Sequence, residues 1–129
     1  MREYSKEYAK DFLKKAGKFL QIAKQAIDSF PEEAAFNAIQ STINANDAFT
    51  IAVLGKRASS DHREAIILHK EAAAKVGESK SDVLHFEISS RDATGYDVKK
   101  RVGRNEAELL LKRAERFIYW VSQKISSIT

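Results

Sequence analysis

Apolar residues recur every three or four positions along nearly the whole chain, the spacing that lays one stripe down an α-helix. From Tyr4 the stripe passes through Tyr8, Phe12, Ala16, Phe19, Leu20, Ala23, Ile27 and Phe30, with lysines between. This predicts a first helix over about 2–29. The single proline, Pro31, suits the first turn of a second helix, where a missing N–H costs nothing. That helix is predicted over 31–54 and stops at Gly55, a residue type that ends helices readily. Small and apolar on most sides, it is expected at the centre of the fold. One line along it differs. Asn37, Gln40, Asn44 and Asp47 follow each other at three, four and three residues, which makes a polar line that is either an exposed face or one turned to a partner subunit or a cleft.

Asp61 is expected to cap a third helix over 61–76 while Glu64 reaches back, a capping box in outline. His62, Ile66, His69, Ala73 and Val76 form its stripe, and Gly77 ends it. A shorter helix is expected over 81–93, with Val83, Leu84, Phe86 and Ile88. "TGYDVKKRVGRN" is the longest stretch without periodicity, and a last helix over 105–127 carries Ala107, Leu110, Ala114, Phe117 and Val121. The fold expected is all-α: an antiparallel bundle of four long helices plus one short helix, forming a single domain over 1–129. Phe12, Phe19, Ile39, Ile43, Phe117 and Val121 are the expected core.

Composition narrows the chemistry. The chain has no cysteine, so disulfides, thiolate metal sites and a cysteine nucleophile are excluded. Its first residues are charged throughout and no apolar run approaches a membrane span. The expectation is therefore a cytoplasmic protein without a membrane partner. The net charge of +4 is compatible with nucleic acid without demanding it. The excess is uneven: "VKKRVGR" (98–104) holds four cations and no anion.

Several site types drop out. No glycine-rich phosphate loop and no serine-hydrolase elbow is present. His62 and His69 lie about 10 Å apart by helix rise, too far to share one small ion, and no metal or other cofactor is expected. Arg57 and His62 are the remaining constellation. Cleaving RNA without metal needs a base to take the ribose 2′-hydroxyl proton and a cation to hold the phosphate as charge builds there. Histidine suits the first task and the planar guanidinium the second. The free N–H groups at the start of the third helix also favour a phosphate, although Asp61 sets a negative charge beside them. The bland reading of the same residues is a helix start carrying ordinary surface charge.

Four pieces in order resemble one family. "FNAIQSTINANDAFTIAVLGKR" is similar to a small-residue helix with an internal Asp-Ala, and "SSDHREA" to the turn that follows it. "RDATGYD" resembles a basic stretch ending in Tyr, and "AERFIYWV" a terminal helix ending in an aromatic residue and Trp. Together they resemble the HEPN superfamily (higher eukaryotes and prokaryotes nucleotide-binding domain) over nearly the whole chain. The family signature is Arg, four to six residues, then His; Arg57 to His62 fits it with four between. Arg63 to His69 also fits the bare pattern, but within one helix its two residues point some 120° apart. Ala58 stands where catalytic members often carry a polar residue.

The resemblance implies a homodimer in which two such elements meet at one cleft and, in active members, cut RNA without metal. Arg57 and His62 would then be catalytic. Lys56, Asp47, Asn44, Tyr96, Lys99, Lys100 and Arg101 are the candidate contacts to substrate. It also implies a nucleotidyltransferase protein as a partner. Three readings remain: a metal-independent endoribonuclease with a toxin-like role in a toxin–antitoxin pair, a non-catalytic nucleotide-binding or accessory subunit of that partner, and a purely structural helical adaptor.

Overall fold

A computed structural model describes residues 1–59, 61–91 and 102–128. The described chain is mostly helical. Helix α1 spans Ala9–Ala26, α2 Pro31–Leu54, α3 His62–Val76, α4 Ser81–Ser89 and α5 Arg104–Ile128. Two short strands, β1 (Arg2–Glu3) and β2 (Lys56–Arg57), pair antiparallel, with Arg2 opposite Arg57 and Glu3 opposite Lys56. No helix among the described residues is long and apolar enough to cross a membrane.

Helix α2 is the axis of the core. Every residue from Asn44 to Ala52 is buried, which matches a helix that is small and apolar nearly all round. The alanines explain how closely it is approached. Ala9, Ala16 and Ala23 are the buried residues of α1. Ala9 clusters with Ile51 and Ala52, Ala16 with Ala45 and Ala48, and Ala23 with Ala35 and Ala38. The two helices therefore run in opposite directions along an alanine seam, where short side chains allow close backbone approach. Helix α5 lays Ala107, Leu110 and Ala114 on the first half of α2, then Phe117, Trp120 and Val121 on its second half.

Of the six expected core residues, Ile39, Phe117 and Val121 are buried, whereas Phe12, Phe19 and Ile43 are half-buried. The periodicity was blind to the two short strands and to the turn before α1. The first residues do not extend the first helix back to position 2: they form β1 and a 3-10 turn over Lys6–Tyr8 before α1 starts at Ala9. The reason is a long-range pairing. Gly55 ends α2 in the left-handed conformation at φ 71°, its N–H donating to the Ile51 carbonyl, and its carbonyl accepts the Tyr4 N–H at 2.9 Å. That turn aims residues 56–57 along the incoming chain, and strand pairing replaces the helical bonds.

Polar groups in the interior are mostly paired. His69 is fully buried. Its Nδ1 meets Asn46 Oδ1 at 2.9 Å, and its Nε2 accepts the Lys80 N–H at 2.9 Å. The Asn46 amide also donates to the Ala65 carbonyl. One residue thus ties α2 to α3, and the next ties α3 to the start of α4. Glu87 is likewise fully buried and accepts from Thr42 Oγ1.

Candidate functional site

The joint between α2 and α3 carries Arg57, and its position follows from the turn at Gly55. Strand β2 swings the side chain back onto α2, where Arg57 Nε donates to Asp47 Oδ2 at 2.9 Å. The guanidinium lies over the Phe12 ring, 4.7 Å from its centre, and Nη1 donates to the Tyr4 hydroxyl at 3.4 Å. Tyr4 in turn meets Tyr8 and Phe12 edge to face. An aromatic wall and a carboxylate therefore fix one cation, as expected where a guanidinium is paired and stacked at once.

Asp47 is only 4% exposed. Burial pushes its carboxyl up to about 6 despite the hydrogen bond and charge of Arg57. For Arg57 burial acts in the opposite sense, but the Asp47 contact outweighs it and the guanidinium holds its proton more firmly than usual. The Arg57 contact also lowers the pKa of the Tyr4 hydroxyl, with a smaller contribution from Arg2. Near neutral pH the pair is ionic, and Arg57 keeps about a quarter of its side-chain surface, 26%, in water.

His62 opens α3 and is half-buried. Asp61 caps the helix as expected, its carboxylate accepting the Arg63 N–H at 2.8 Å. Glu64, however, does not reach back to Asp61. It accepts the Ser59 N–H at 3.0 Å and so pins the loop before the cap. His62 Nε2 is in contact with Arg91 Nη1. A guanidinium only donates, so the imidazole nitrogen accepts in this contact. Arg57 and His62 are consequently held by different partners, the first by α2 and the aromatic wall, the second by the end of the α4 segment.

The other candidates sort by burial. Asn44 is 6% exposed and donates to the Gln40 carbonyl of its own helix, while Asn37 donates to the Glu33 carbonyl. With Asp47 on Arg57, three of the four residues in the polar line find hydrogen-bond partners within the chain. Lys56 is half-buried in β2. Tyr96, Lys99, Lys100 and Arg101 lie outside the described residues. Arg104, at the end of the same basic stretch, pairs with Asp28 at 2.7 Å and Glu108 at 2.9 Å. The second pattern match separates as rotation requires: His69 is fully buried, while the Arg63 side chain is 90% exposed.

Ala58 is buried against Ala65 and Leu68, so it packs the α3 start onto the rest of the fold. Sequence reasoning missed Tyr4, Phe12 and Arg91 as parts of this region. Tyr4 and Phe12 read as stripe residues of one helix, and only the β1–β2 pairing reveals that they face Arg57. Among the described residues no cluster of His, Asp and Glu has the form of a metal site. No protein-family model and no curated protein sequence matches this chain.

Proposed function

We propose that the protein is a metal-independent endoribonuclease of the HEPN type, with Arg57 as phosphate clamp and His62 as general base. The observation that carries this reading is the fixing of Arg57 by Asp47, Tyr4 and Phe12. A cation placed in advance spends nothing on reorganisation when phosphate charge builds, which is where electrostatic catalysis gains most. His62, five residues on and paired with Arg91, supplies the acceptor nitrogen, and an incoming phosphate would draw Arg91 away from it. The helical architecture is compatible with the family's bundle of four long helices and one short one.

A homodimer belongs to the same reading. Ile67 is 63% exposed on α3, one turn beyond Arg63. A two-fold contact through that face covers Ile67 and brings two His62-bearing helix starts together. A second reading, a non-catalytic nucleotide-binding or accessory subunit of a nucleotidyltransferase, is favoured by a different observation. The Arg57 guanidinium already has a carboxylate partner, and Ala58 supplies packing where active members often have a polar group.

The test is cleavage of labelled RNA by the purified protein in excess EDTA. Cleavage by the parent, its loss in His62→Ala with the fold intact, and strong loss in Arg57→Lys support the nuclease. Asp47→Asn is expected to lower the rate through misplacement of Arg57 while raising KM less than it lowers kcat. Cleavage by His62→Ala at the parental rate refutes the assignment of the base. Nucleotide binding that depends on Arg57, without cleavage, moves the conclusion to the accessory subunit.

A further inference from the structure

A cleft of about 640 Å³ lies between α5 and the turn joining α3 to α4, away from Arg57 and His62. Its wall on α5 includes Leu109, Lys112, Arg116, Tyr119, Trp120 and Gln123, and the opposite rim includes Lys80. Lys112, Arg116, Tyr119 and Gln123 recur at four, three and four residues, so they line one face over about 16 Å. Tyr119 is 66% exposed and Leu109 45%. Neither is explained by packing within the chain.

The charges are as uneven as the exposure. Glu78, the one acid in the lining, already accepts from Trp120 Nε1 at 2.6 Å and from Lys124 at 3.0 Å. Arg113 is occupied by the Phe86 ring, 4.2 Å from its centre. Among the described residues neither Lys112 nor Arg116 has a carboxylate partner. Two cations with no carboxylate partner among the described residues therefore precede, by about two turns and one turn, an exposed aromatic ring along an open, apolar-floored groove.

We infer that this groove binds single-stranded nucleic acid, with Lys112 and Arg116 on successive phosphates and a base stacked on Tyr119. Grooves of this kind pair a track of positive charge with aromatic platforms, because every base offers a flat face whatever its sequence. A purely electrostatic patch needs no exposed ring, and a duplex hides its base faces from one. The inference rests on the proposed function only for the identity of the strand as RNA, and it uses none of the same residues.

The probe is a labelled oligodeoxythymidylate of about a dozen nucleotides, a length that suits such grooves. It lacks the 2′-hydroxyl and so survives the proposed chemistry. Anisotropy reports binding, and fluorescence of Trp120, the chain's one tryptophan, reports whether the cleft is the place. Saturable binding with a change in Trp120 emission is expected. Lys112→Gln with Arg116→Gln is expected to weaken it about tenfold or more at low salt. Because each phosphate contact on a single strand contributes about 0.7 to the log–log salt slope, that pair should flatten it by about 1.4. Tyr119→Ala should cost roughly tenfold without altering the slope, and Tyr119→Phe should retain binding. All three side chains are exposed, and circular dichroism checks that each variant is folded.

No saturable binding, binding without a Trp120 signal, or parental affinity in Tyr119→Ala and the Lys112/Arg116 pair would overturn the inference. Equal affinity for a duplex would do the same. Lys14→Gln and Lys18→Gln, which remove exposed cations of α1 outside the groove, are expected to bind as the parent does. Groove binding by a protein that never cuts RNA sinks the nuclease alone, and cleavage with no groove dependence of binding sinks the groove alone.

Discussion

His69 is expected to make the fold acid-labile, and the size of the effect follows from its surroundings. The imidazole is fully buried between Phe49, Phe117 and Trp120, with ring centres 5.2, 5.9 and 5.6 Å away. Its Nε2 accepts a backbone N–H from Lys80, a bond that a protonated ring cannot accept. Burial lowers its pKa from 6.5 to about 4. The unfolded chain therefore binds a proton that the native fold refuses. The stabilising term is fully present above about pH 6.5 and is lost as pH falls towards 4, for a total of about 3 kcal/mol.

The perturbation is His69→Gln, which keeps one of the two hydrogen bonds and cannot titrate. At pH 7 the variant is expected to be less stable by about 2 kcal/mol, from lost packing and one broken hydrogen bond. Urea unfolding of both proteins between pH 4 and 7.5 measures the difference. The gap should close or reverse by pH 4, since only the parent loses the histidine term and all other titrating groups are common to both. Two parallel stability curves would refute the reasoning. So would an imidazole NMR signal, assigned to His69 by its absence in the variant, that titrates near 6.5.

Glu87 is expected to act in the opposite direction. Burial raises its carboxyl to about 8, so the stability it contributes is fully present below about pH 4.5 and is lost as pH rises through 8. Glu87→Gln keeps a side-chain oxygen for Thr42 and removes the ionisable group. Its advantage over the parent in urea should grow with pH to about 4 kcal/mol near pH 9, and no growth with pH would contradict the assignment. Gly55→Ala forces an L side chain into φ 71° with its Cβ 3.4 Å from the Tyr4 carbonyl oxygen, and should cost about 1–2 kcal/mol. Gly17→Ala, mid-helix in α1 with open space around the new methyl group, should instead stabilise by about 0.5–1 kcal/mol. Thermal melts that rank these two variants the other way would refute the account of the Gly55 turn.

The helices were legible because their information is local. Pro31 at a first turn, Gly55 and Gly77 at helix ends and Asp61 as a cap each act within a few residues, and each appears where the sequence puts it. The smallness of α2, with alanines at nearly every turn, likewise announced a central helix. The sequence also singled out Arg57, His62 and Asp47 as polar residues in unusual settings. What it did not contain was their partners.

Those partners come from far along the chain, and only tertiary structure decides them. The incoming segment at Arg2–Glu3 pairs with β2 across more than fifty residues of separation, so Tyr4 and Phe12 face Arg57 rather than continuing a helix stripe alone. Asp47 looked like a member of an exposed or shared polar line, yet its buried carboxylate is accounted for by an ion pair with the part-buried Arg57. His69 had the same helical phase as His62 and turned out to be a core residue with two hydrogen bonds. A period of 3.6 residues tells which side chains share a face, but not which other segment covers that face. Burial and pairing, and with them the charge states of Asp47, His69 and Glu87, are set by that covering.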